Sequence, residues 1–210
     1  MVKSKVELCN VSLGLLGASP IRDFGEDNKR ARQCELFYDV TREELLSKFD
    51  WTFARKLCKL NQVVIEMPIA ATDRAFQLPA DCLTPRNIEP IGTRFRWTIF
   101  GSVLVTDKVG DVILRYTRLE DNVIMYPSTF RNLLIAGTAV KMCMSITQDK
   151  ALFKSLVEAY DNMKAELHEV DANIGNEYLT YDNDYNNDSY VAVGGNFITH
   201  GRSIKSQSDY

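Results

Sequence analysis

Apolar and polar positions follow a helical period at both ends of this chain's first 172 residues, a strand-like pattern in the middle, and no period after them. Val6, Cys9, Leu13 and Leu16 recur at steps of three and four, which predicts a helix over residues 3–16 that stops at Gly17. Gly14 falls inside that pattern at a cost of about 1 kcal/mol relative to alanine, so either another backbone packs closely there or the helix ends early. Pro20 opens an extended connector through Ile21, Phe24 and Gly25. Asp27 is then the expected N-cap of a second helix, with Glu26 beside the positive end of its dipole. Ala31, Cys34, Tyr38, Thr41, Leu45 and Phe49 form its apolar stripe, and Lys29, Arg32, Asp39, Arg42 and Glu43 take other faces, so the two helices read as an antiparallel pair.

After Trp51 the period changes. Short β-rich runs at 62–66, 95–100, 103–106 and 112–116 are separated by Pro68, Pro79, Pro85, Pro90, Gly92, Gly101 and Gly110, the pattern of a small antiparallel β subdomain. Val112, Leu114 and Tyr116 alternate with Asp111, Ile113, Arg115 and Thr117, which predicts one half-covered face. Pro127 stands where a third helix would begin, with Phe130, Leu133, Leu134, Gly137, Val140 and Met144 inward. A fourth helix starts near Asp149 or Lys150, and its near-heptad stripe of Leu152, Leu156, Ala159, Met163, Leu167 and Val170 is expected to be core, packed on a partner helix at a shallow angle. The predicted fold is α+β: a four-helix core made of two sequence-separated pairs (1–50 and 126–172), a β subdomain between them (51–125), and an extended arm (173–210).

Composition sharpens the reading of the arm. Residues 173–210 are dominated by Asn, Asp, Ser, Gly and Tyr, and five acidic against two basic side chains give them the whole of the chain's net charge of −3. Yet Tyr178, Tyr181, Tyr185, Tyr190, Phe197 and Tyr210 are rings on a polar segment, suited to anchoring in a partner's pockets, and the run Tyr190, Val191, Ala192, Val193 suits addition to another chain's sheet edge. Fully extended, the arm reaches on the order of 125 Å. The other residues balance to zero charge, so no basic field invites tight DNA binding. A hydrophobic fraction of 45% within 210 residues is ample for a core. No apolar run approaches the roughly 20 residues of a membrane span, and the N-terminal MVKSKVELCN lacks a signal-peptide core, so neither membrane insertion nor export is expected. Five widely spaced cysteines in apolar periodic segments suit reduced core thiols.

Catalytic patterns are sparse. The two histidines, His168 and His200, have no zinc-helix partner, and no Cys-x-x-Cys, phosphate loop, GxSxG or GxGxxG occurs, so no enzyme activity, cofactor or metal is expected. Glu43 with Glu44, and Asp107 with Asp111, read as solvated charge. The cluster Arg94, Phe95, Arg96, Trp97 has the basic-aromatic character of a nucleic-acid strip, but alternation puts Phe95 and Trp97 toward a core and Arg94 and Arg96 toward water or a neighbouring subunit.

Several motifs then line up in order: Asn10 through Leu13, Leu-Gly-x-x-Pro-Ile at 16–21, an acidic connector at 24–28, Cys34 with Tyr38-Asp39, Arg42 with Leu45-Leu46, Trp-x-Phe-Ala at 51–54, and Leu-Pro-x-Asp-Cys-Leu at 78–83. This ordered set, spread over most of residues 4–175, resembles the head-to-tail connector or adaptor proteins, also called tail tubular protein A, of short-tailed bacteriophages. The resemblance implies a virion protein at the head–tail junction, assembled in the host cytoplasm as a homo-oligomeric ring, typically dodecameric. Its implied partners are the portal protein, the tail nozzle and tail fibres, and double-stranded DNA passes through the ring during genome ejection without tight binding. On this reading Tyr178, Tyr181, Tyr185, Tyr190, Val191, Val193, Phe197 and Tyr210 dock the arm on the portal or a neighbouring subunit, and Arg94, Arg96 and Trp97 meet the nozzle, fibres or a subunit. The alternative is a nucleic-acid-binding module built on residues 94–97.

Overall fold

A computed structural model describes residues 4–65, 73–90 and 95–180, with side-chain surroundings through residue 167. The fold is α+β, with four helices and a small antiparallel β subdomain. Two compact units divide it, Met1–Lys164 and Ala165–Tyr210, the boundary falling inside the last helix.

Helix α1 (Lys5–Leu15) is capped by Ser4, whose hydroxyl accepts from the Glu7 N–H. It closes in a Schellman arrangement: Ala18 N–H donates to the Leu13 carbonyl and Gly17 N–H to that of Gly14, with Gly17 at φ +66°. Gly14 itself faces open space and the helix runs past it to Leu15, ending at Gly17 as predicted, so neither close packing nor an early helix end accounts for this glycine. The Asn10 side chain clasps both backbone groups of Ile21 at 2.8 Å, which fixes the Leu-Gly-x-x-Pro-Ile connector and buries Ile21. Helix α2 (Lys29–Lys48) is capped by Asn28, not Asp27 as expected. The Asn28 side chain reaches the Ala31 N–H, while Asp27 pairs outward with Arg32.

Helix α3 (Ser128–Ile146) is the hub of the helical part. It packs against both α1 and α2, which touch each other only sparingly, so neither sequence-adjacent helix is the other's main partner. Ser12 of α1 donates to the Ile135 carbonyl of α3 at 2.9 Å. A hub is covered on more than one side, and α3 accordingly buries Ala136, Thr138, Ala139, Met142 and Cys143 beyond the predicted stripe, while the predicted Met144 is exposed. Pro127 is its N-cap, not its first helical residue.

Helix α4 (Lys150–Thr180) is capped by Asp149. Residues 173–180, expected to begin the extended arm, are helical; the spacing Leu167, Val170, Ile174, Tyr178 continues the helical period, and extending a formed helix is far easier than nucleating one. Its stripe is not the core that the heptad spacing suggested. Leu152 and Leu156 are half-buried, Ala159 and Met163 are exposed, and Tyr160 is the side chain of this stretch that is buried.

The β subdomain is two sheets sharing one core. Strands β1 (Arg55–Lys59), β7 (Ile113–Arg118) and β4 (Cys82–Glu89) form the first in the order β1-β7-β4. The second runs β2 (Asn61–Val63), β3 (Arg74–Gln77), β6 (Val103–Thr106), β5 (Trp97–Phe100). All pairings are antiparallel. A single residue, Leu60, separates β1 from β2 and turns the chain from one sheet into the other while its N–H bonds the Val112 carbonyl at 2.8 Å. Leu60, Phe76, Ile88, Leu104, Val112, Leu114 and Tyr116 fill the space between the sheets. The predicted Val112, Leu114, Tyr116 face is thus fully inward. At the β5–β6 hairpin Gly101 takes φ +57° in the first turn position, where a type II′ turn calls for glycine.

Candidate partner-binding surfaces

Arg86, on β4, joins the sheet to the helices. Its Nη2 donates to the carbonyls of Leu46, Ser47 and Phe49 at 2.9, 3.0 and 2.7 Å, and its Nε to Thr117 Oγ1 at 2.8 Å. Those carbonyls belong to the α2 C-terminus, where backbone acceptors lack helical partners and a cation complements the dipole. Trp51 Nε1 supplies another donor, to the Leu45 carbonyl at 2.9 Å. Trp51 then stacks edge-on against Phe49 and Phe130, and Phe53 and Tyr126 complete the ring cluster. The Trp-x-Phe-Ala motif is therefore the packed joint between helices and sheet.

The Leu-Pro-x-Asp-Cys-Leu motif has a comparable structural role. Asp81 accepts from Tyr116 Oη and from Lys56 Nζ, both at 2.7 Å, and its carbonyl takes the Leu119 N–H, which ties the turn before β4 to β7 and to β1 on the far side of β7. The Lys56 ammonium, followed by the Tyr116 hydroxyl, holds the Asp81 carboxyl below its ordinary value of 3.8. A carboxyl depressed in the folded state contributes stability in full above its unfolded pKa and loses it as pH falls through the folded one. Asp81→Asn is accordingly expected to lower the urea midpoint near neutral pH, with the gap from the parent closing below about pH 4. A gap unchanged at acid pH would show that the charge is not what matters.

On the surface, the predicted contact residues part company. Arg94 lies outside the described residues. Trp97 is half-buried and, with Phe95 and Ile99, packs against the β core, while Phe95 also lies under Lys108 Nζ at 5.2 Å. Arg96 is exposed, yet its guanidinium is 3.3 Å from Asp107 and 3.7 Å from Asp73. Two carboxylates beside it oppose phosphate binding at Arg96 itself. Of the arm residues, Tyr178 falls on α4, its side chain outside the described set, and Tyr181, Tyr185, Tyr190, Val191, Val193, Phe197 and Tyr210 all lie outside the described residues. So does His200, and so does the side chain of His168.

Compared with models of protein families and with curated proteins, the chain matches none. Its surfaces must therefore be read from their own chemistry. Among the described residues, no three His, Cys, Asp or Glu side chains gather as metal ligands, and no helix is long and apolar enough to cross a membrane.

What the surface does carry is apolar area at helical spacing. Val11 and Leu15 of α1 are exposed, as are Leu36 and Val40 of α2, each pair four residues apart on one helical row. Ile124 and Met125 stand out from the turn before α3, and Leu119 is exposed just upstream of it. On α4, Leu152, Phe153, Leu156 and Val157 are half-covered and Met163 is 39% exposed. The sequence held a signal for Leu36 and Val40, since both sit off the inner stripe of α2 as a second apolar pair. Beside them, Arg42 is buried under the Tyr38 ring and pairs with Asp39 and Asp121, and Asp121 also takes Lys5 at 3.2 Å, which fixes α1, α2 and the 119–122 loop to one another.

Proposed function

We propose that this chain is a structural virion protein, the subunit of a head-to-tail adaptor ring that links a portal to the tail nozzle and fibres and lines part of the path for DNA ejection. Its role is mechanical, not catalytic. The helices pack the ring, the β subdomain with Arg94, Arg96 and Trp97 faces the nozzle, fibres or a neighbouring subunit, and the aromatic arm docks on the portal or on a neighbouring copy.

The observation that carries this reading is the partly open apolar stripe of α4, joined by the exposed pairs Val11 with Leu15 and Leu36 with Val40. Apolar side chains repeated at helical spacing on outer faces favour burial against another protein over solvation. The absence of a basic surplus suits a conduit, because cationic walls would hold phosphates and slow DNA passage. The ordered motifs between residues 10 and 83 supply the identity of the assembly.

Negative-stain imaging of the purified chain, alone and mixed with a portal protein, tests it. Annular particles are expected with the portal, and Leu36→Glu/Val40→Glu or removal of residues 176–210 is expected to leave a folded core that assembles poorly. A chain that stays monomeric with the portal and binds DNA in a salt-dependent way, lost on Arg94→Ala/Arg96→Ala, would overturn the assignment in favour of a nucleic-acid module.

A further inference from the structure

The outer row of α2 orders its charge in a way that the helix itself does not explain. At about 3.6 residues per turn, Lys29, Gln33, Leu36, Val40, Glu43 and Ser47 share the side opposite buried Ala31, Tyr38 and Leu45. Leu36 and Val40 are 55% and 47% exposed with α4 in place, and Phe37 beside them is half-buried. Exposed Lys29 and Arg32 stand at the N-terminal end of this row, and exposed Glu43 and Glu44 toward its C-terminal end. The first turn holds Lys29, Arg30 and Arg32 and no acid, the order that a helix dipole disfavours. Within the chain these groups make only surface pairs: Arg32 with Asp27 at 2.7 Å, Glu44 with Lys141 at 2.6 Å, and Glu43 at 4.0 Å from Arg42. Such pairs contribute little to stability.

We propose that α2 pairs antiparallel with α2 of a second copy of this chain, about a two-fold axis level with Tyr38. That axis sets Leu36 against Val40 of the second copy, Gln33 against Glu43, and Arg32 against Glu44, with Lys29 within one turn of both glutamates. Each end of the row then meets its opposite charge, the apolar pairs meet each other, and the two helix dipoles run opposed. The row is thus self-complementary, as a two-fold interface requires. Other occupants fit it less well. A polyanion would meet Glu43 and Glu44. The segment 173–210 brings five acids against two bases, with no basic-apolar-acidic order. α4 runs from Lys150 and Lys154 to Glu158 and Asp161, but those lysines stand about half a turn round the helix from its Leu152, Leu156 and Met163 stripe. A cyclic ring joins unlike faces head to tail, so the two-fold pair is a form of the free chain, and ring assembly would have to displace it from the same row.

The pairing itself does not rest on the ring assignment and is measured without a portal. α2 has 20 residues, about 30 Å of helix, and two such helices bury less than the roughly 1,200 Å² of a stable interface. A weak dimer is therefore expected, with a dissociation constant on the order of 10 μM. Sedimentation equilibrium of the full chain, from about tenfold below that value to about tenfold above it, should show monomer passing to dimer. Lys29→Glu/Arg32→Glu places acids at both ends of the row, and Glu43→Lys/Glu44→Lys places bases at both. Each variant alone should dimerise about tenfold or more weakly, whereas their mixture should form a heterodimer about as tight as the parent dimer. Circular dichroism checks folding. If a charge variant fails to fold, Leu36→Ala/Val40→Ala, which removes atoms from the two exposed apolar side chains, decides by an expected loss of about tenfold. A parent that stays monomeric throughout, charge variants that each dimerise like the parent, a mixture without heterodimer, or an unaltered Leu36→Ala/Val40→Ala overturns the proposal.

Discussion

Arg86→Ala is expected to destabilise the protein by about 3 kcal/mol, read as a fall in the urea midpoint at unchanged slope. The substitution removes the donor for three α2 carbonyls and the partner of the buried Thr117 hydroxyl together. Backbone acceptors beneath a packed ring cluster have poor access to replacement water, and each one left unsatisfied costs on the order of 1–3 kcal/mol before relaxation. Arg86→Lys separates charge from geometry. An ammonium restores the cation near the helix dipole but cannot present a planar fork to Thr117 and the helix end together, so most of the loss should persist. Full rescue by lysine would mean that the dipole interaction alone holds the joint. Amide hydrogen exchange should locate the damage in residues 45–49 and in β4, with α1 comparatively spared.

That joint was not legible in the sequence, and the reason is general. Arg86 lies in the run Thr84-Pro85-Arg86-Asn87, which has the composition of a turn, and Pro85 reads as a strand separator. The structure makes residues 82–89 a strand because β4 is a sheet edge, where a proline's missing N–H removes no ladder bond, and its pairing with β7 shifts register at Pro85. Arg86 owes its role to three carbonyls some 40 residues upstream, which no local window contains. β1 was missed for a related reason, since Arg-Lys-Leu-Cys-Lys lacks clean alternation. The helices were readable because a period of three and four persists over several turns, and the α+β class followed from them. What periodicity cannot say is which face another helix will cover. α3 already meets α1 and α2, so the α4 stripe, as regular as any other, remains partly open. Within the basic-aromatic strip at 94–97, alternation points Phe95 and Trp97 inward, and both pack against the β core, whereas the pairing of Arg96 with Asp73 and Asp107 joins separate segments that no local window contains.

The attachment of α4 turns on one glycine. A methyl group at Gly137 would stand 2.8 Å from Thr41 Cγ2 and 3.0 Å from both Cζ and Oη of Tyr160. The absence of a side chain on α3 is thus what lets α2 and the buried tyrosine of α4 meet there. Gly137→Ala is expected to cost about 3 kcal/mol, the upper range for overpacking, despite the better helix propensity of alanine, because one close neighbour is a β-branched side chain with little freedom to rotate. Tyr160 is the more movable neighbour: its hydroxyl is buried without a hydrogen-bond partner among the described residues, and burial raises its pKa to about 12. The expected result is that residues 150–164 lose exchange protection ahead of α1–α3. Thr41→Ser removes the clashing methyl and can keep the hydroxyl bond to the Phe37 carbonyl, so Gly137→Ala/Thr41→Ser should recover a large part of the stability. Coupling in that double-mutant cycle of 1 kcal/mol or more, on the order seen for contacting residues, is the signature of direct contact. Additive effects of the two substitutions would place the source of the loss elsewhere in α3. If α4 helps to form the ring, Gly137→Ala should also impair assembly at temperatures where α1–α3 remain folded, whereas the substituted chain at lower temperature, with α4 docked, should assemble as the parent does.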